Sequence, residues 1–277
     1  MSAPLIDPTE AAALADGRHS APFAVLGQHV EGERAVLRTF QPHATGVSAL
    51  AEDGRRIELT RVEERGVFAA RISPPAGRYR LELTRGSETW EIIDPYAMPS
   101  CIGELDRHLA GEGTHQQLYR ILGSHLTELE GVPGVHFGTW APNASRVSVV
   151  GDFNDWDGRR HVMRHHPGSG LWDMFIPELE EGTLYKYEIL GPEGQLLPLK
   201  HDPYGEYFEQ PPGNASIVFS SRFVWRDRDY LAERRGVDAR HLPISIYEIH
   251  AGSWRRTEEG RALSYRELAD EIGRAHV

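Results

Sequence analysis

The sequence predicts a mainly β protein: two tandem antiparallel sandwiches, then a strand–loop–helix unit of a different kind. Three observations carry this. Short runs rich in β-branched and aromatic residues recur between Gly- and Pro-containing turns from Pro22 to Phe219. A set of landmarks occurs twice in the same order. Beyond Trp225 the texture changes to one dense apolar run and a capped helix pattern.

Residues 1 to about 20 are Ala-rich and read as a short helix or a frayed tail. Strands are expected at Ala35–Phe40, Val47–Leu50, Val67–Ile72, Tyr79–Leu83 and Trp90–Ile93. The polar, Gly-containing stretch 103–117 reads as a linker, and Leu118–His125 as a helical turn. Strands follow near Thr139–Trp140 and at Arg146–Val150, Leu171–Ile176, Leu184–Ile189 and Ala215–Phe219, with a loop over 205–214. In Leu184–Ile189 the alternation sets Tyr185 and Tyr187 on one face and Lys186 on the other, away from the core. Asp227–Arg235 reads as a charged, helical connector. Ile244–His250 is a dense apolar run of the kind buried on both faces of a parallel sheet. Ser264 and Glu267 have capping-box spacing, with Leu263 and Leu268 placed as a staple, so a helix is expected from about Tyr265.

The duplication is read from five landmarks. Leu26-Gly27 returns as Leu122-Gly123, and Phe40-Gln41-Pro42 as Trp140-Ala141-Pro142. Val47 returns as Val147, and Gly77-Arg78-Tyr79 resembles Gly182 to Tyr185. Asp94-Pro95-Tyr96 returns as Asp202-Pro203-Tyr204. The offset grows from 122 − 26 = 96 to 202 − 94 = 108, so small insertions separate two copies of one unit. The expected division is a tail (1–20), a first sandwich (21–106), a linker (107–117), a second sandwich (118–226), a connector (227–242) and the βα unit (243–277).

One difference between the copies stands out. Where the first has Ala51-Glu52-Asp53-Gly54, the second has Gly151-Asp152-Phe153-Asn154-Asp155-Trp156. An aromatic on a polar turn offers a flat apolar face beside hydrogen-bonding groups, which suits a sugar ring. A ring folded back onto its own core is the other reading of Trp156.

Composition narrows the function classes. The net charge is 30 − 41 = −11, which argues against nucleic acid as a partner, because that binding rests on cationic side chains. No apolar run reaches the ~20 residues of a membrane span. The acidic N-terminus is not expected to be a secretory signal, and the single cysteine, Cys101, has no internal disulfide partner. A cytoplasmic protein is expected. His161, His165, His166 and His201 lack ligand spacing and read as a solvated loop; no metal and no cofactor are expected. Gly111-Glu112-Gly113 lacks the strand and further glycines of a phosphate loop.

Taken together, Gly138–Trp156, Tyr185-Lys186-Tyr187, Asp202-Pro203-Tyr204 and Tyr247–Trp254 (YEIHAGSW) resemble the bacterial 1,4-alpha-glucan (glycogen) branching enzyme family, from about Phe23 to Ile272. The resemblance implies two immunoglobulin-like β-sandwiches, the second a carbohydrate-binding module of family 48. It also implies that residues from 243 are the truncated first βα unit of a (β/α)8 catalytic barrel. The implied partner is α-1,4-glucan or glycogen, with no membrane role and a monomeric state. Trp156, Lys186 and Asn214 correspond to sugar contacts in such modules. Leu196 stands where a second stacking tryptophan is common, so one face of the site is missing. Trp172 could cover the same surface, but its alternation reads as packing.

The family's catalytic Asp, Glu and Asp lie on later barrel strands. Only 277 − 243 = 34 residues follow position 243, against roughly 250 for such a barrel. No catalytic residue is therefore assigned, and Glu248 is not a substitute. Tyr247 and His250 either border the active cleft of a complete enzyme or pack a barrel core. The expectation is a catalytically inactive fragment that keeps glucan-binding modules. The other readings are a stand-alone glycogen-binding or regulatory module, and a piece of a debranching or trehalose-forming hydrolase.

Overall fold

The structure, a computed structural model, describes residues 4–31 and 34–274. Two compact units result, Met1–Ser221 and Arg222–Val277. The first opens with helix α1 (Pro8–Ala15). Asp7 caps it, its carboxylate accepting from the Thr9 N–H at 2.8 Å, and Pro8 sits where no N–H is needed. Ala11, Leu14 and Ala15 are buried, so the N-terminal stretch is a docked helix and not a frayed tail.

Seven antiparallel strands follow: β1 (Gly27–Glu31), β2 (Arg34–Phe40), β3 (Gly46–Ala51), β4 (Arg56–Glu63), β5 (Val67–Ile72), β6 (Tyr79–Arg85) and β7 (Glu88–Ile93). They form one continuous sheet in the order β1-β2-β5-β4-β3-β6-β7. Strand β4 makes it continuous. Its first half pairs with β3, its second half with β5, and the register shifts between Arg61 and Glu63. The two halves of the sheet close over Leu37, Leu59, Phe68, Leu81 and Leu83. Neither β1 nor β4 was expected. In β4 only Leu59 is buried, so the charged outer face masks the alternation.

The stretch read as a linker contains helix α2 (Glu104–Glu112), which ends on Gly113 in the left-handed conformation, φ 73°. Then come β8 (Gly123–Leu129), β9 (Val132–Trp140), β10 (Arg146–Val150), β11 (Arg164–His166), β12 (Leu171–Pro177), β13 (Leu184–Leu190), β14 (Tyr207–Phe208) and β15 (Ser216–Ile217). They form two four-stranded sheets, β11-β12-β9-β8 and β10-β13-β15-β14. Val135, Phe137 and Met174 of one sheet pack on Val147, Val149, Tyr185 and Tyr187 of the other. The rings of Phe137 and Tyr185 lie 4.9 Å apart, edge to face. Trp172 is buried, its indole N–H donating to the Ala141 carbonyl at 3.0 Å, as a packing residue should.

The duplicated landmarks occupy equivalent places. Tyr79 donates to the Asp94 carboxylate at 2.7 Å, and Tyr185 to that of Asp202 at 2.8 Å. Each aspartate also accepts from the backbone two residues on, Tyr96 N–H at 3.0 Å and Tyr204 N–H at 2.8 Å. Gly27 (φ 87°) and Gly123 (φ 101°) face the backbone carbonyls of Tyr96 and Tyr204, where a Cβ would stand 2.8 and 3.2 Å from the oxygen. His29 and His125 each reach the carbonyl three residues back at 2.9 Å. One buried tyrosine–aspartate corner closes each copy.

In the second unit, α3 (Arg228–Arg235) and α4 (Tyr265–Arg274) form as expected. The Ser264–Glu267 capping box is present, Glu267 accepting from the Ser264 N–H at 2.7 Å. The strand expected over Ile244–His250 is not formed. Ile246 and Tyr247 are 88% and 78% exposed, and no ladder joins this run to a neighbour among the described residues. A parallel-sheet strand is made by partners on its edges and layers on its faces, and this run has neither.

Candidate functional site

The tip after β10 is built by residues that its sequence presents as one polar turn. Asn154 is fully buried and pins it. Its side-chain amide donates to the Val149 carbonyl at 2.8 Å and contacts His161 Nδ1 at 2.9 Å. Its oxygen accepts from the Gly151 N–H at 3.0 Å. Burial pushes His161 down to about 3, so the ring is neutral and its Nδ1 can accept. Asp155 and Trp156 both adopt the left-handed conformation, at φ 56° and 58°. Two such residues in a row cost on the order of 1–2 kcal/mol each, and the Asn154 clasp offsets that. Trp156 is half-buried, and its indole N–H donates to Asp152 at 2.8 Å. The ring is neither free nor folded into the core, as its two readings had it; it is clamped at the surface.

Lys186 and Asn214 meet. The Lys186 ammonium donates to the Asn214 side-chain oxygen. Lys186 lies on β13 beside Val150, the last residue before the tip, so all three predicted contacts gather around one end of this sheet. The alternation predicted for β13 holds: Tyr185 and Tyr187 are buried, Lys186 is half-buried and Asn214 exposed. Leu196 is 64% exposed and bridges to Leu190, at the opposite end of β13. Four residues of strand, ~13 Å, separate that point from Lys186.

Besides Lys186 and the acids of the tip, the charged neighbours include Arg160, 3.1 Å from Asp155, and Glu209, which accepts from the Asn214 N–H at 3.0 Å. A cleft of about 540 Å³, lined by Leu50, Tyr79, Arg80, Met98 and Val132 among others, is lined by none of Trp156, Lys186 and Asn214. The arrangement can stack one sugar face and donate hydrogen bonds beside it. Nothing in it resembles a paired-carboxylate hydrolytic centre.

The sequence reading missed Asn154, whose signal is its position three residues after Gly151, the spacing of a reciprocal cap. It also misplaced two histidines. His166 is buried, 2.7 Å from Asp173, and His161 is enclosed in the tip, so the expected solvated loop is a structural element. Asp173 further accepts from Ser100 Oγ at 2.9 Å and the Cys101 N–H at 3.0 Å, fixing the chain between the copies to β12. No group of metal-ligand type assembles among the described residues. Tyr247 and His250 make local contacts: the Tyr247 hydroxyl accepts from the Trp254 indole at 3.0 Å, and His250 pairs with Ser253 at 2.8 Å.

Each of the two β regions matches a family model. Residues 7–96 match the N-terminal domain of alpha-1,4-glucan branching enzyme GlgB, and residues 121–205 match carbohydrate-binding module 48 (isoamylase N-terminal domain). The chain is 50% identical over 98% of its length to 1,4-alpha-glucan branching enzyme GlgB of Paramagnetospirillum magneticum. It is 49% identical to the enzymes of the same name from Rhodospirillum rubrum and Rubrobacter xylanophilus, over 94% of its length in each case. Over nearly its whole length the chain is similar to part of these enzymes. It spans 36–37% of the length of these relatives.

Proposed function

We propose that this chain supplies the glucan-holding part of a glycogen branching enzyme, with Trp156 as the stacking face and Lys186 and Asn214 as hydrogen-bonding partners. The complete activity is cleavage of an α-1,4-glucan and transfer of the freed segment to a 6-hydroxyl. It would proceed by retention through a covalent intermediate, on carboxylates about 5 Å apart. The Trp156 ring clamped on the tip that follows β10, and the Lys186–Asn214 pair on the strand next to β10, support this reading. In this reading 21–106 and 118–226 are immunoglobulin-like sandwiches, and 243–277 is the opening βα unit of the barrel. The protein acts as a cytoplasmic monomer on glycogen. Tyr247 and His250 would border the cleft of the complete enzyme.

Two measurements test it. In native gels containing glycogen, the wild-type chain is expected to be retarded. Trp156→Ala should weaken that retardation about tenfold, the equivalent of ~1.4 kcal/mol. Equal mobility of the two proteins would remove Trp156 from the site. The 277-residue polypeptide is also expected to leave the iodine–amylose absorbance unchanged, since no residue matches the family's catalytic acids. A time-dependent fall in that absorbance would overturn the inactive reading.

A further inference from the structure

The tip belongs to the second sandwich, but part of what holds it belongs to the first. The Tyr96 hydroxyl accepts from the Val162 N–H at 3.0 Å and donates to the Arg160 carbonyl at 3.2 Å. Both lie on the segment that runs from the tip back to the sheet. His43, in the turn between β2 and β3, places Nε2 3.8 Å from the Asp155 carboxylate, one residue before Trp156. Arg159 reaches the carbonyl of Ala15 in α1 at 3.3 Å, and its guanidinium lies 5.6 Å from the centre of the Phe40 ring. The tip is thus held from inside by Asn154 and from outside by the first copy.

The duplication makes the second hold informative. The Asp-Pro-Tyr corner of each copy requires the aspartate, which caps its own turn and receives a buried phenol. It does not require the hydroxyl of the last tyrosine. Tyr204, the counterpart of Tyr96, is 40% exposed, whereas Tyr96 is buried with both hydrogen bonds directed at the neighbouring copy. The first sandwich lacks a tip of its own, having Ala51–Gly54 there.

We infer that the first sandwich is a brace for the glucan platform, with Tyr96 and His43 as positioning residues that keep Trp156 in its strained surface conformation. The inference rests on the glucan reading of Trp156. A brace of this kind stabilises one loop geometry before sugar arrives, so less ordering accompanies binding. Removing the Tyr96 hydroxyl should loosen the tip without disturbing the sheets, because the ring still packs on Phe23, 4.8 Å away.

The test uses the full chain as wild type, Trp156→Ala, Tyr96→Phe, His43→Ala and the double variant Tyr96→Phe/Trp156→Ala. Maltoheptaose affinity is measured by titration calorimetry, and amide exchange by mass spectrometry. Tyr96→Phe is expected to bind three- to tenfold more weakly and His43→Ala about twofold. Amides of 154–162 should exchange at least tenfold faster in Tyr96→Phe, with β9 and β12 unchanged. The double variant should bind no more weakly than Trp156→Ala alone, since Tyr96 acts only through the platform. Wild-type affinity together with wild-type exchange in Tyr96→Phe would overturn the brace. If Trp156→Ala binds like wild type, the glucan reading falls. Exchange at 154–162 then decides the brace by itself: faster in Tyr96→Phe upholds it, unchanged rejects it.

Discussion

Asp202→Ala should be among the most damaging single substitutions in this chain. Asp202 is fully buried and serves three donors: the hydroxyls of Tyr185 at 2.8 Å and Tyr187 at 3.0 Å, and the Tyr204 N–H at 2.8 Å. Its own N–H donates to Ser216 Oγ at 2.8 Å. Truncation takes the carboxylate from two buried phenols and leaves Tyr187 only its longer bond to the Gly138 carbonyl at 3.3 Å. Each unsatisfied buried donor costs about 1–3 kcal/mol, so the sum is on the order of 3–5 kcal/mol. For a unit of this size, that lowers the midpoint of thermal unfolding by roughly 10 °C. The first copy supplies the control. Asp94 receives one phenol, from Tyr79, so Asp94→Ala should cost about half as much. Calorimetric scans of both variants check the ranking. Equal losses would mean that the second phenol contributes nothing.

Acid should destabilise the first unit from about pH 6.5 downward, through its buried histidines. His136 is buried on the outer face of the β8–β9 pair, its Nε2 without a hydrogen-bond partner and 3.8 Å from Asp173. Burial pushes it down to about 4, despite the opposing pull of Asp173. A histidine with a depressed folded-state value contributes stability that is present above its unfolded value, near 6.5. That stability is lost as pH falls toward 4, because the unfolded chain takes up the proton first. From pH 6.5 to 5 this single group removes about 2 kcal/mol, at ~1.36 kcal/mol per pH unit. His161, held down to about 3, acts in the same direction. Asp94 acts against them. Burial raises it to about 6, so the folded state gains a proton as pH falls through 6, which offsets part of the loss below that point. The fall is therefore expected to set in near pH 6.5 and to continue toward pH 4, with Asp94 removing part of its slope below 6. Denaturant titrations at pH 7.5 and 5.0 on wild type and His136→Gln check this. The variant should lose about 2 kcal/mol less than wild type across that interval. An identical pH dependence in the two proteins would exclude His136 as a source.

The particular elements show what a sequence can and cannot disclose here. The tyrosine–aspartate corners were legible as repeated Gly-Tyr and Asp-Pro-Tyr landmarks, because a turn that needs a capping aspartate before proline leaves a local mark. Lys186 was placed outside the core by alternation alone, and the structure agrees. Strand β4 was not legible, since a half-exposed strand with a charged face carries almost no periodic signal. Helix α2 was hidden for the same reason: none of its residues is buried. The run Ile244–His250 erred the other way. Its composition is that of an interior strand, but composition cannot supply the neighbouring strands that make one.

By itself the sequence determined the β class, the repeated landmarks and the resemblance to branching enzymes, and it nominated Trp156, Lys186 and Asn214. All of these depend on short-range periodicity and on turn chemistry, which neighbouring residues encode. Only the tertiary structure decided that Asn154 is the buried pin, that Lys186 and Asn214 meet, and that the first copy grips the tip of the second through Tyr96 and His43. These contacts join positions 28 to 112 residues apart, apart from the Asn154 clasp itself. At that separation the partner is selected by how two sheets pack and not by anything written beside it in the chain.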